Sequence, residues 1–384
     1  MIVSRFPFPL EKGDKLRAYY QLKELSSYYD ITLVALTDQQ ISEQQLEQVG
    51  QHCQTIEICK LSFFSKAFHL LRSFFGDKPF QTGYFYSWKA KKKIRRLIQI
   101  HSFDHIYCQL IRTSEYVKDE YQIPKTLDYM DALSTGIQRR ISHQPWYKKW
   151  LFRSEAKRLK KYEQHIFDYF EYKCIISEQD KNLINHPDRN KIACIPNGID
   201  DSFLQNMEVD KTHELVFVGN MSYPPNIDAV NYIADHILPV FPNSNLLVSG
   251  SSPHSSIKNL AARNPQITLT GWVEDIRTSY AKGKIFLAPM MIGTGMQNKL
   301  LEAMAMKVPC ITTPLANNAI KAKHLEQIMV GKDITEILSC IRTLKEDEKL
   351  SNSIAQAGSK FVAEHYSWKK SVDSLRELWQ GASQ

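Results

Sequence analysis

No apolar run in this 384-residue sequence approaches the roughly 18 residues that a membrane-spanning helix requires. The N-terminal residues do not read as a secretory leader, because Arg5, Glu11, Lys12 and Asp14 follow Met1-Ile2-Val3 before an apolar stretch can form. The expected location is therefore the cytoplasm. None of the seven cysteines (Cys53, Cys59, Cys108, Cys174, Cys194, Cys310 and Cys340) stands in a C-x-x-C pair, so a zinc ribbon and a disulfide framework are both excluded. Most lie in apolar stretches such as 191–195 and read as buried thiols. No D-x-D metal motif stands at a strand end; Asp200-Asp201 is a simple pair after a turn. There is no internal repeat and no low-complexity linker. Acidic residues are scarce in one stretch: residues 51–100 hold ten basic and two acidic side chains.

The chain is longer than one core normally organises, so two domains are expected. Charge divides between the halves. Residues 1–200 carry 31 Lys/Arg against 23 Asp/Glu, and residues 201–384 carry 18 against 18. Such asymmetry points to an anionic partner on one side of the molecule.

Continuous apolar runs at 31–36, 214–219, 244–250 and 284–289 read as buried parallel strands, separated by helical stretches such as 15–25, 147–171, 226–241, 255–263 and 296–306. Strand–helix alternation with short loops gives an α/β protein with doubly wound parallel sheets. The turn at Pro196-Asn197-Gly198 marks the break between halves. The segment from Leu350 to Trp379, with Val372, Leu375, Leu378 and Trp379 at helical spacing, reads as an amphipathic helix.

The chemistry concentrates in 288–305, APMMIGTGMQNKLLEAMA. A strand ends at Pro289, Gly293-Thr294-Gly295 forms a loop, and a helix begins near Met296-Gln297-Asn298. Free N–H groups and the dipole at that helix start suit a diphosphate, and Gly293 and Gly295 allow the backbone close approach. Lys299 in the first turn opposes the dipole, which an anion would explain. Glu302, one turn on, is placed to accept hydrogen bonds from vicinal hydroxyls. The plain alternative is a solvated strand–turn–helix. Earlier in the chain, Gly13 lies in the loop after the first strand and Arg17 on the following helix, where a phosphate or acceptor contact competes with a solvated helix start capped by Asp14. Asp128 and Asp131, in LDYMD after a buried strand, are candidates to orient an acceptor hydroxyl or stabilise developing positive charge; turn formation and helix capping are the alternatives.

The segment 288–305 resembles the donor site of retaining GT-B transferases of glycosyltransferase family 4, the group 1 type. More narrowly, PFPLEKGDKLR (7–17), LDYMDALS (127–134), IPNGID (195–200), VFVGNMSYPPNIDAV (216–230) and MQNKLLEAM (296–304) are similar to bacterial sugar transferases of exosortase and exopolysaccharide systems. The resemblance implies a GT-B fold, two Rossmann-like domains facing a cleft, with an acceptor domain at 1–196, a donor domain at 197–364 and a C-terminal helix at 365–384 packing back on the first. It implies that Glu302 binds the ribose and that Lys299 faces the phosphates. Trp272-Val273 would meet the nucleobase, and Gly219-Asn220 follows the strand where relatives carry an arginine. Thr294 stands where the family places a sugar-binding glutamate. The implied reaction is transfer of a glycosyl group from a nucleotide-diphosphate sugar to a hydroxyl of a glycan or lipid-linked glycan, with retention and no metal. A sugar-nucleotide epimerase and a non-catalytic GT-B subunit are the rivals.

Basic and aromatic residues interleave from Phe63 to Leu97 and again through Trp146–Arg153. That combination fits an anionic membrane surface, with Lys89, Lys91, Lys92, Lys93, Arg95 and Arg96 as the expected contacts. RNA is the competing polyanion, but no RNA-binding signature is present, and no nucleic-acid partner is expected.

Overall fold

The computed structural model describes residues 1–142, 144–292 and 296–381. The chain forms two compact units: residues 1–196 with 371–384, and residues 197–370.

In the first unit, seven strands pair in parallel: β1 (Ile2–Val3), β2 (Thr32–Thr37), β3 (Thr55–Lys60), β4 (Ile106–Gln109), β5 (Lys125–Asp128), β6 (Tyr172–Ile175) and β7 (Ala193–Cys194). Their order is β3-β2-β1-β4-β5-β6-β7. Alternation sends Ile2, Val34, Leu36 and Cys108 into a core on one face, and Val3, Leu33, Ala35 and Tyr107 into a core on the other. Helices cover both. On the second face Val372 and Leu375, from the helix Trp368–Gln380, complete the packing, and the Trp379 indole donates to Thr126 Oγ1 at 2.8 Å.

The second unit repeats the plan with β8 (His213–Val218), β9 (Leu246–Ser249), β10 (Ile267–Gly271), β11 (Gly283–Ala288), β12 (Cys310–Thr312) and β13 (Met329–Val330), ordered β10-β9-β8-β11-β12-β13. In both sheets the order reverses beside the first strand. That switch point opens a crevice at the carboxyl ends of the strands, where doubly wound folds bind ligands. Glycines let the strand ends close up in the second unit: a Cβ at Gly250, whose φ is +142°, would stand 1.8 Å from the Gly219 carbonyl oxygen.

Some elements differ from their sequence expectation. The helix expected at 226–241 runs as an α-helix over Pro224–Tyr232, then widens to a π-helical turn and ends in a 3-10 turn at Leu238–Val240. Proline explains both limits: Pro224 presets φ for the first turn, and Pro239 lacks the N–H that would extend the α-helix. The helix Pro314–Ile320 and the two-residue β13 have too little periodicity to be seen in sequence. The single helix expected toward the C-terminus is two, Glu348–His365 and Trp368–Gln380. Between them the Tyr366 carbonyl accepts from Ile199 N, so the backbone pairs with the start of the second unit instead of continuing the helix.

Candidate functional site

At the carboxyl edge of the second sheet, β8 leads through Gly219 and Asn220 into the helix at Pro224, and β11 leads toward the helix Asn298–Ala305. Asn226 links these elements. Its Nδ2 donates to the Asn220 carbonyl at 2.9 Å, and its Oδ1 accepts from Lys299 Nζ. The Lys299 ammonium also stands 4.9 Å from the Phe217 ring centroid. It is half-buried, and among the described residues no carboxylate lies within ion-pair distance of it. Burial lowers its pKa to about 7, with Glu302 opposing the shift. One turn along, Glu302 Oε2 accepts from the Tyr280 hydroxyl at 2.6 Å; burial raises this carboxyl, against Tyr280 and Lys299. Tyr280 is fully buried and anchors Oε2, and a carboxylate has a second oxygen able to accept further hydrogen bonds.

The other residues picked from sequence fall around this pair. Asn220 holds its own turn, its Oδ1 accepting from Ser222 N and Oγ at 2.9 and 2.7 Å. Asn298 Oδ1 accepts from the buried Asn197 Nδ2 at 3.1 Å, and the Gln297 carbonyl accepts from Leu300 N. Met296 is half-buried against the core. Trp272 is exposed and Val273 half-buried, just past Gly271, whose φ of +71° turns the chain at the end of β10. Gly293, Thr294 and Gly295 lie outside the described residues. Sequence reasoning missed Asn226 and Tyr280. Their signals were faint: an asparagine behind two prolines, and an aromatic that reads as ordinary core.

In the first unit the geometry corrects two expectations. Arg17 and Asp128 are sealed from solvent and paired with each other, Arg17 Nε donating to Asp128 Oδ2 at 2.5 Å. The Tyr107 hydroxyl donates to the same oxygen at 2.5 Å, and Met130 N donates to Oδ1 at 3.0 Å. Neither charge is presented to a ligand; both are structural, because charges at this depth persist only when matched. Gly13 is exposed as the first residue of its helix. Asp14 does not cap that helix; it accepts from Arg5, and the cap position is Lys12 without a side-chain hydrogen bond.

Asp131 is different. It does not cap the following helix, whose cap residue is Ala132, and its Oδ1 is buried without a hydrogen-bond partner among the described residues. Burial, reinforced by Asp180, raises its pKa to about 7 despite Arg112 and Arg140. A folded-state pKa above the ordinary 3.8 means that the folded protein binds the extra proton between pH 4 and 7, so stability falls as pH rises through that window. Asp131→Asn should therefore raise the melting temperature at pH 8 by several degrees and change it little at pH 4, in paired calorimetric scans. An equal effect at both values would show that the carboxyl titrates normally.

Among the described residues no group of three or more His, Cys, Asp or Glu side chains is placed to hold a metal ion. Residues 212–347 match the family described as glycosyl transferases group 1. The match lies within the second unit, and the chain as a whole shares the GT-B fold of glycosyltransferase structures. An uncharacterized 44.6 kDa protein in the cps region of Klebsiella pneumoniae is 25% identical over 401 residues, covering 96% of each chain. Sucrose-phosphate synthase from Thermosynechococcus elongatus superposes with a TM-score of 0.74 at 13% identity, covering 99% of this chain and 98% of that one. Anabaena HepE, solved in complex with UDP and glucose, gives 0.68 at 13% identity and the same coverage. The residues that match the group 1 family include Tyr280, Lys299 and Glu302.

Proposed function

We propose that this glycosyltransferase moves a sugar from a nucleotide-diphosphate donor to a hydroxyl of a glycan or lipid-linked glycan in polysaccharide synthesis, with retention of configuration. The cps-region relative supports the pathway class, and the resemblance of the donor segment to retaining enzymes supports the stereochemistry. The observation that carries the reading is the Asn226–Lys299 and Tyr280–Glu302 arrangement: a half-buried ammonium at a helix start and, one turn away, a carboxylate held by a single hydroxyl. The ammonium and the helix N–H groups supply the positive charge that a leaving diphosphate needs, so the proposal calls for no bound metal. Glu302 offers its remaining oxygen to ribose hydroxyls, while Trp272 and Val273 border the position proposed for the base.

Glu302→Ala should weaken nucleotide binding about 10- to 100-fold, corresponding to roughly 1.5–3 kcal/mol for bonds to a charged acceptor. Calorimetric titration with UDP, GDP and ADP first identifies the base and then measures the loss. Unchanged affinity in the folded variant would sink the assignment. Incubating donor alone tests the epimerase rival, since only an epimerase yields a new sugar nucleotide without acceptor.

A further inference from the structure

The helix Phe63–Phe75 is amphipathic the wrong way round for a domain surface. Its inward face carries His69 and Ser73, both buried, and Lys66, paired with Asp38 at 2.8 Å. Its outward face carries Phe64, Phe68, Leu71 and Phe75, which are 84%, 58%, 60% and 81% exposed. Their spacing of four, three and four residues makes one continuous stripe. The helix is firmly mounted. A Cβ at Gly83 would meet Ser73 Oγ at 2.1 Å, so the next helix abuts it closely, and Arg158 caps its end through the carbonyls of Ser73, Phe74 and Gly76. A second apolar element joins it. Trp150 meets Phe74 edge-on with ring centroids 6.1 Å apart, and Trp146, one turn earlier, is 84% exposed.

We propose that this face is a membrane-docking surface, with the Phe63–Phe75 helix lying in the plane of an anionic bilayer and Trp146 and Trp150 at the headgroup level beside it. Charge decides the occupant. Residues 61–76 and 145–153 contain no Asp or Glu, whereas Arg72 lies on the same helix as the aromatic stripe and Lys148, Lys149 and Arg153 on the same helix as Trp146 and Trp150. A second copy of the chain on this face would set like charges against each other, while anionic lipid headgroups complement them. Tryptophan at the margin matches the preference of its ring for the interface. The Trp88–Ile100 helix, the expected contact from sequence, fits less well: Lys93 is paired with Glu57 at 2.5 Å and Lys91 approaches Asp119 at 3.4 Å. The surface deepens the transferase reading by indicating a lipid-anchored acceptor, and rests on that reading only for the acceptor's identity.

Vesicle flotation tests it with the full chain on pure phosphatidylglycerol and pure phosphatidylcholine. Wild type should bind the anionic vesicles, with its tryptophan emission quenched by brominated lipid. Phe64→Ser/Phe75→Ser, altering two side chains that point away from the core, should lose binding at least about tenfold at low and high salt. Arg72→Glu/Arg153→Glu should lose it at low salt only, because salt already screens that attraction. Failure of wild type to bind phosphatidylglycerol, equal binding by the Phe64/Phe75 variant, or a wild-type dimer that this variant converts to monomer would each overturn the proposal. Nucleotide titration of the same variants separates the two readings: affinity should be unchanged, and absence of nucleotide binding by vesicle-competent protein would count against glycosyl transfer alone.

Discussion

Asp128→Ala should cost about 3–5 kcal/mol of stability, because it leaves the Arg17 guanidinium buried without its counter-charge. The carboxylate also accepts from Tyr107 and from the Met130 amide, so one truncation breaks three interactions in a region closed to water. Removing both charges is a different experiment. Arg17→Met/Asp128→Leu replaces the pair with apolar groups of similar reach and should recover most of the loss, since the desolvation of two ions disappears with them. Urea unfolding followed on both variants checks the outcome through the transition midpoint at unchanged slope. A loss below about 1 kcal/mol in the single variant, the value of an exposed pair, would mean that water reaches the site.

Lys299→Met should depress turnover about 100- to 1,000-fold, with a smaller effect on donor affinity, because negative charge on the leaving diphosphate grows toward the transition state. Methionine keeps the apolar stem beside Phe217 while removing the ammonium. The lowered pKa adds a second signature. With a pKa of about 7, much of the free protein at pH 8 carries neutral Lys299. A bound diphosphate favours the charged form and raises that pKa, so binding takes up a proton and affinity falls as pH rises above 7. Titration calorimetry in two buffers of different ionisation enthalpy reads the uptake directly, and Lys299→Met should abolish it. Turnover and proton uptake both undiminished in the variant would reduce Lys299 to a packing residue.

The strands were legible because burial on both faces demands unbroken apolar runs, as at β2, β8 and β11. The donor segment was legible because Lys299 and Glu302 are unusual choices for the start of a helix leaving a buried strand. Long-range partners were not. Arg17 and Asp128 stand 111 positions apart, and each alone looks like a ligand contact. Only the fold reveals that they satisfy one another. The acidic partners of the basic helix 88–100 were hidden for the same reason, since Glu57 and Asp119, which oppose Lys93 and Lys91, lie on other elements. The aromatic stripe of 63–75 was visible as composition, but the direction it faces depends on which side of the helix packs, and there polar His69 and Ser73 prevailed.

The return of the chain to the first unit at Ser371 sets an order of assembly. A ribosome delivers β1 to β7 first, yet Val372 and Leu375, which close one face of that sheet, emerge only after the whole second unit has been made. At about 5–20 residues per second, the nascent sheet waits on the order of ten to thirty seconds with Val3, Leu33 and Ala35 incompletely covered. During that interval the second unit, whose strands are contiguous in sequence, is free to fold to completion. The half synthesised first is thus the half finished last, and a released chain truncated before residue 371 should be protease-resistant in its later part and more sensitive in its earlier one.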